Sequence, residues 1–170
     1  MLRIYITNLG KYNEGELIGK WIDLPISNEE LTEVKQEIGL NQFYEEYFIT
    51  DFDCDIQGFT VDEYDSIQEL NCIAETLRDM SDTDTEAISA LVNDGYDINE
   101  AIRMVDDVMF FYDCQDMEDV AYQYCEECGI LDTIPDHLRN YFDYEAFGRD
   151  MGFEGHFIFT ANGNCIEVMY

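Results

Sequence analysis

Three groups of residues have types and spacings that could do chemistry. Asp51-Phe52-Asp53-Cys54-Asp55 sets carboxylates at the first, third and fifth positions of a calcium loop, with Asp62 at the twelfth. The sixth position of such a loop must turn sharply, but here it is Ile56, and the residues before it read as a strand rather than a helix. The competing reading is a strand whose alternate residues meet water. Cys125-Glu126-Glu127-Cys128 has the spacing of a zinc or redox pair, yet it falls within a helical pattern and no second pair completes it. The carboxylates around it raise a thiol pKa and oppose a reactive thiolate. His137 and His156 are the only 2 histidines, and neither adjoins a serine or cysteine elbow. Glycine-rich phosphate loops and nucleotide fingerprints are absent. A glycosidase-like carboxylate pair would turn up by chance among 39 acids, so finding one decides nothing. The expectation is therefore a protein that is not an enzyme and carries no cofactor and no metal, its chemistry residing in the acids as a set.

Those 39 acids face only 8 Lys and Arg, which leaves a formal net charge of -31 on 170 residues. Nucleic-acid binders neutralise phosphates with clustered bases, and none cluster here. The same repulsion excludes an anionic membrane surface, so a partner should be basic. A compact chain of 19.9 kDa exposes roughly 8,700 Å², or about one net charge per 280 Å². B-DNA carries about one per 110 Å², so a DNA-like surface requires the acids to be concentrated. Residues 1–42 hold 7 acids and 4 bases, 43–107 hold 19 and 2, and 108–170 hold 13 and 2. The middle stretch alone is thus at -17. Like charge at this level costs stability, and an elongated shape would relieve it.

The elements that must position these acids are readable from periodicity and punctuation. Met1 to Ile6 reads as a strand, followed by a polar loop through Asn13 and a second strand from Leu17 to Leu24, ending at Pro25. Ser27-Asn28-Glu29-Glu30 is a capping box that opens a helix with Leu31, Val34 and Ile38 on one face, and Gly39 ends it. Tyr44 to Thr50 reads as a third strand. Thr60-Val61-Asp62-Glu63 is a second capping box before a helix with Ile67, Leu70, Ile73, Ala74, Leu77 and Met80 inward and Asp65, Glu69, Glu75 and Asp79 outward. Helices over Thr85–Asn93 and Asp97–Val105 flank an Asn93-Asp94-Gly95 turn. Val108 to Tyr112 reads as a strand, and Cys114 to Gly129 as a helix with Met117, Val120, Ala121, Tyr124 and Cys128 inward. A helix from Pro135 through Met151 precedes a hairpin, His156–Thr160 with Cys165–Met169, over Ala161-Asn162-Gly163-Asn164. The predicted fold is α+β in three modules: an antiparallel sheet with one helix (1–60), a helical module (61–105), and a sheet with helices (106–170).

At 46% hydrophobic and 14% aromatic the chain holds enough apolar surface to fold. It has no run of roughly 18 apolar residues and no signal-peptide start, which places it in the cytosol. The six cysteines are then expected reduced and packed in the core.

Asn8-Leu9-Gly10-Lys11-Tyr12-Asn13-Glu14-Gly15-Glu16-Leu17, with Trp21 and Pro25, resembles the N-terminal segment of the ArdA antirestriction proteins. Phe59-Thr60-Val61-Asp62-Glu63-Tyr64, Ser66-Ile67 and Glu69-Leu70-Asn71 resemble the entry to that family's central helices. Asp116-Met117, Asp119-Val120-Ala121 and Gly129 fit as well, and Tyr141-Phe142-Asp143-Tyr144-Glu145-Ala146-Phe147-Gly148-Arg149-Asp150 resembles its C-terminal signature. The resemblance covers nearly the whole chain and implies a DNA mimic, encoded by mobile elements, that occupies the DNA-binding groove of type I restriction-modification enzymes. It also implies an elongated three-module monomer, a dimer joined through the C-terminal module, and an antirestriction motif near Tyr122 to Pro135.

The candidate mimic surface comprises Glu45, Glu46, Asp51, Asp53, Asp55, Asp62, Asp65, Glu69, Glu75, Asp79, Asp82 and Asp84. Asp116, Glu118, Asp119, Glu126 and Glu127 would extend it. A groove lined by Lys and Arg for phosphates accepts carboxylates in their place. The rival readings are a calcium-binding protein and an acidic chaperone for basic partners.

Overall fold

The computed structural model describes residues 1–169, and over these the fold is α+β. The chain divides into two compact units, Met1–Thr85 and Glu86–Tyr170. No helix among the described residues is long and apolar enough to cross a membrane.

The first unit is built on an antiparallel sheet of order β2-β1-β3, with β1 at Leu2–Asn8, β2 at Gly19–Leu24 and β3 at Tyr47–Cys54. Alternation puts Leu2, Ile4 and Ile6 in the core while Arg3 and Tyr5 take the other face. The strand read as Tyr44 to Thr50 lies later, at Tyr47–Cys54, because β1 pairs with it as far as Leu2 opposite Cys54. The register shifts between Tyr5 and Ile6, where Thr50 forms a bulge and its hydroxyl meets that of Thr7 at 2.8 Å.

The stretch expected as a polar loop after β1 contains a short helix, α1 (Leu9–Asn13). Asn8, fully buried, accepts from Lys11 N at 3.0 Å and donates to Ile38 O at 3.0 Å, so one side chain caps α1 and the end of the next helix. That helix, α2 (Asn28–Glu37), has the predicted box, with Ser27 and Glu30 satisfying one another's backbone amides. Gly39 follows at φ 81°, the left-handed conformation its position demands.

The next helix, α3 (Ile67–Arg78), is capped by Ser66, not by the Thr60 box. The backbone carbonyl of Glu63 is taken by Ile49 N at 2.8 Å, which holds residues 60–63 against the sheet edge and out of a helix. Ile67, Leu70, Ile73 and Ala74 are buried as periodicity requires. Asn71 makes a paired bond to the backbone of Ile26, accepting from its N at 2.9 Å and donating to its O at 2.8 Å, which fastens α3 to the loop after β2.

Helix α4 (Asp82–Asp94) spans the division between the units. It begins three residues before the expected Thr85, because Ser81 and Asp84 form a reciprocal cap. In the second unit, α5 (Ile98–Met104) is capped by Asp97 and ends in a 3₁₀ turn at Val105–Asp107. An antiparallel sheet of order β4-β6-β5 follows, with β4 at Val108–Phe111, β5 at His156–Phe159 and β6 at Cys165–Val168. Helix α6 (Met117–Glu127) crosses α8 (Tyr144–Glu154) at Gly148, where an added Cβ would lie 2.1 Å from Met117 O. The helix expected from Pro135 to Met151 is broken in two, α7 (Asp136–Arg139) and α8, since Asp143 accepts from Ala146 N and starts the second afresh. Phe111, Cys114, Val120 and Cys165 form the core, with Met117 and Phe157 packed on it.

Candidate functional site

Fourteen of the 17 candidate acids are exposed, and the three that are half-buried, Asp65, Asp84 and Asp119, are those engaged in local backbone caps. Asp65 accepts from Asp62 N at 2.8 Å, Asp84 from Ser81 N at 3.1 Å, and Asp119 from Gln115 N at 2.9 Å. Asp116 is exposed but caps α6, accepting from Glu118 and Asp119. These four stabilise helix and turn starts by offsetting orphan amides, a role the exposed-face reading alone does not reveal.

Seven of the eight Lys and Arg have a local partner. Arg3 lies over the Trp21 ring at 4.5 Å, Lys35 over Tyr47 at 4.5 Å, and Lys11 over Tyr44 at 4.7 Å. Lys20 meets Glu37, Arg78 meets Asp79, Arg139 meets Asp132 and Asp136, and Arg149 meets Asp150. Among the candidate acids of the described residues, only Asp79 and Asp55, the latter against the Met1 ammonium, sit within ion-pair distance of a cation. The bases are thus used mainly beside α1, α2 and α7–α8, and the candidate acids other than Asp55 and Asp79 have no cation of the chain's own within ion-pair distance. Spread over 10510 Å², the net -31 is about a third as dense as B-DNA. By units the charge divides almost evenly, with 20 acids and 5 bases in residues 1–85 and 19 acids and 3 bases in 86–170.

Asp51 and Asp53 stand opposite Tyr5 and Arg3 on strand β3. Strand backbone through Cys54 cannot wrap a cation as a calcium loop does, and Asp55 is turned to the Met1 ammonium. No group of three or more His, Cys, Asp or Glu among the described residues is arranged to hold a metal. Glu45, Glu46 and Asp65 do come together, lining an open groove of about 510 Å³ with Glu63, an acid outside the candidate set. Also outside it, though inside the -17 stretch, are the exposed Asp94, Asp97, Glu100, Asp106 and Asp107 of α4 to the 3₁₀ turn. Composition by stretch signalled them, while helix-face periodicity did not.

The cysteines divide. Burial pushes the Cys114 thiol up to about 11, helped by Asp119, Asp113 and Asp116, and the Cys165 thiol up to about 12. Cys125 is buried and raised in the same way. Cys72 and Cys128 are exposed, however, contrary to the expectation that every cysteine packs in the core. Cys128 is the residue closing α6 and lies beyond its apolar face, so Cys125, one turn after Ala121, takes the inward place.

The segments that carry the resemblance have structural reasons to be as they are. Gly10 has no room for a Cβ beside Tyr44, whose hydroxyl donates to Glu14 at 2.8 Å, while Lys11 donates to Glu14 at 2.9 Å. Asn71 secures the loop after Pro25, and Gly148 permits the α6–α8 crossing. The expected antirestriction motif, 122–135, covers the second half of α6 and the turn after it, where Gly129 adopts φ 61°.

No curated protein matches the chain. The family model described as antirestriction protein (ArdA) matches residues 4–165, a span that contains all of the quoted signatures. The chain belongs to the ArdA family of antirestriction proteins.

Proposed function

We propose that this protein inhibits type I restriction-modification enzymes by presenting carboxylates where the enzyme's DNA-binding groove takes phosphates. The observation that carries the reading is the near-total separation of the candidate acids from the chain's own cations. Carboxylates left unpaired are free to accept hydrogen bonds from Lys and Arg on another protein. Groove contacts to phosphate are largely independent of base sequence, so a mimic of the backbone acts on enzymes of different specificity. No catalytic step is needed. Inhibition follows from occupancy, and counterion release on docking makes the affinity fall with salt. The acids of 45–84 form the main surface and those of 116–127 extend it. The proposed assembly is a homodimer joined through the C-terminal module of a three-module chain, acting in the cytoplasm.

A competition assay tests this. Fluorescent DNA bound to a purified type I methyltransferase is titrated with the protein at low and high salt. Stoichiometric displacement that weakens with salt is expected, and the absence of displacement at low salt overturns the reading for that enzyme.

A further inference from the structure

A second groove, of about 640 Å³, lies on the first unit and differs in character from the acidic one. Its walls include Tyr5, Tyr12, Trp21 and Phe48, paired edge to face as Tyr5–Trp21 at 5.5 Å and Tyr12–Phe48 at 5.2 Å between ring centroids. Two carboxylates, Asp51 and Glu63, line it too, and Glu63 belongs also to the neighbouring acidic groove. Tyr12 is 51% exposed and Tyr5 and Trp21 are half-buried, so these three rings reach water, while Phe48 is buried behind Tyr12. Three water-accessible rings with two acids are chemically complementary to a weakly hydrated, planar cation. The ring Trp21 already carries one such group, the Arg3 guanidinium at 4.5 Å.

We propose that this groove binds an arginine side chain of a basic protein partner, the stem lying along the rings and the guanidinium meeting Asp51 and Glu63. That the arginine belongs to a restriction-modification enzyme rests on the function proposed above, whereas the groove's preference for arginine does not. Arginine is favoured over lysine because the guanidinium stacks on aromatic faces and is less strongly hydrated than an ammonium. Within a docking surface of dispersed charge contacts, such a site fixes position as well as adding attraction.

Trp21 is the only tryptophan, so its fluorescence reports on this groove alone. The test titrates the full chain, at constant ionic strength, with a blocked glycine-arginine-glycine peptide and with the same peptide carrying lysine or the neutral isostere citrulline. A saturable change in Trp21 emission is expected with the arginine peptide, at least about fivefold weaker with either replacement. Glu63→Gln and Tyr12→Ala, both at exposed positions, are expected to weaken the arginine peptide about fivefold, whereas Glu29→Gln with Glu33→Gln on α2, exposed acids outside the candidate surface, leaves it unchanged. Equal binding of the citrulline or lysine peptide, or equal weakening by the α2 pair, overturns the proposal, as does no response in a folded protein. If DNA displacement fails while this titration succeeds, the choice of partner falls and the groove stands. The reverse pattern removes the groove and leaves the mimic.

Discussion

The side-chain amide of Asn164 donates to Glu86 Oε1 at 2.9 Å, so a carboxylate near the start of α4 holds the turn of the C-terminal hairpin. The Thr160 hydroxyl donates to the same oxygen, and Asn164 accepts from Asp113 N at 2.9 Å. Burial pushes the Glu86 pKa up, but hydrogen bonds from Asn162, Thr160 and Asn164 together outweigh it and hold the group below the usual glutamate range. Glu86 is therefore an acid retained for structure among acids displayed for charge.

Glu86→Gln is expected to lower stability by about 1 kcal/mol in urea unfolding at neutral pH, since it replaces charge-assisted bonds with neutral ones. The folded pKa is depressed, so the advantage of the native protein over this variant is fully present above the unfolded glutamate value of about 4.3 and is lost as pH falls through the lower folded value. Parallel unfolding curves for the two proteins, taken from about pH 7 down to about pH 3, check this. A difference that stays constant across the range removes the assignment.

Gly148→Ala should destabilise by about 2–3 kcal/mol, because the added methyl group meets backbone at Met117 and the helices must part. Gly152→Ala, four residues later on α8, is the control, since the nearest atoms to its Cβ would be those of the Met117 side chain, at 3.5 Å and beyond. The expected effect there is a gain of up to about 1 kcal/mol from helix propensity. Denaturation midpoints of the pair decide the matter.

How much of this was legible in the sequence depended on whether the deciding contact was local. The Ser27 box needs only residues within one turn, and it forms as read. The Thr60 box has the same pattern, yet the bond from Ile49 N to Glu63 O, fourteen residues apart in the chain, denies it a helix. The break between α7 and α8 was hidden because apolar periodicity runs through residues 140–143, while the Asp143 cap is a single side chain. At the surface, charge counts found the acidic stretch but could not separate displayed acids from those that cap, such as Asp84 and Asp119. The aromatic groove was illegible because Tyr5, Tyr12, Trp21 and Phe48 come from β1, α1, β2 and β3, and only sheet register brings them together.

Neutralising acids one at a time, as in Glu69→Gln or Asp53→Asn, should change displacement of DNA from the target enzyme by less than about threefold, as exposed ion pairs are individually weak. Removing the four of β3 and α3 together, Asp51, Asp53, Glu69 and Glu75, should cost more than about tenfold and flatten the salt dependence. A single substitution that abolished inhibition in a folded protein would falsify distributed charge as the basis.

Added sodium chloride should raise the melting temperature by screening repulsion among 39 acids, and calcium at matched ionic strength should do no more. A calcium-specific rise that vanishes in Asp53→Asn with Asp55→Asn would restore the cation-binding reading.

Thiol labelling in the folded state should reach Cys72 and Cys128 quickly, with Cys114, Cys125 and Cys165 protected until unfolding. Mass spectrometry of partly labelled protein reads the order, and early modification of Cys165 would contradict its burial.

The missing side chain at Gly148 lets α6 lie directly on α8 with no intervening layer to slide. Glu118, Glu126 and Glu127 ride on a helix whose backbone is seated on another backbone, so their Cα positions are set before any partner arrives. Docking then forfeits side-chain freedom but little main-chain freedom, and more of the electrostatic attraction survives as affinity.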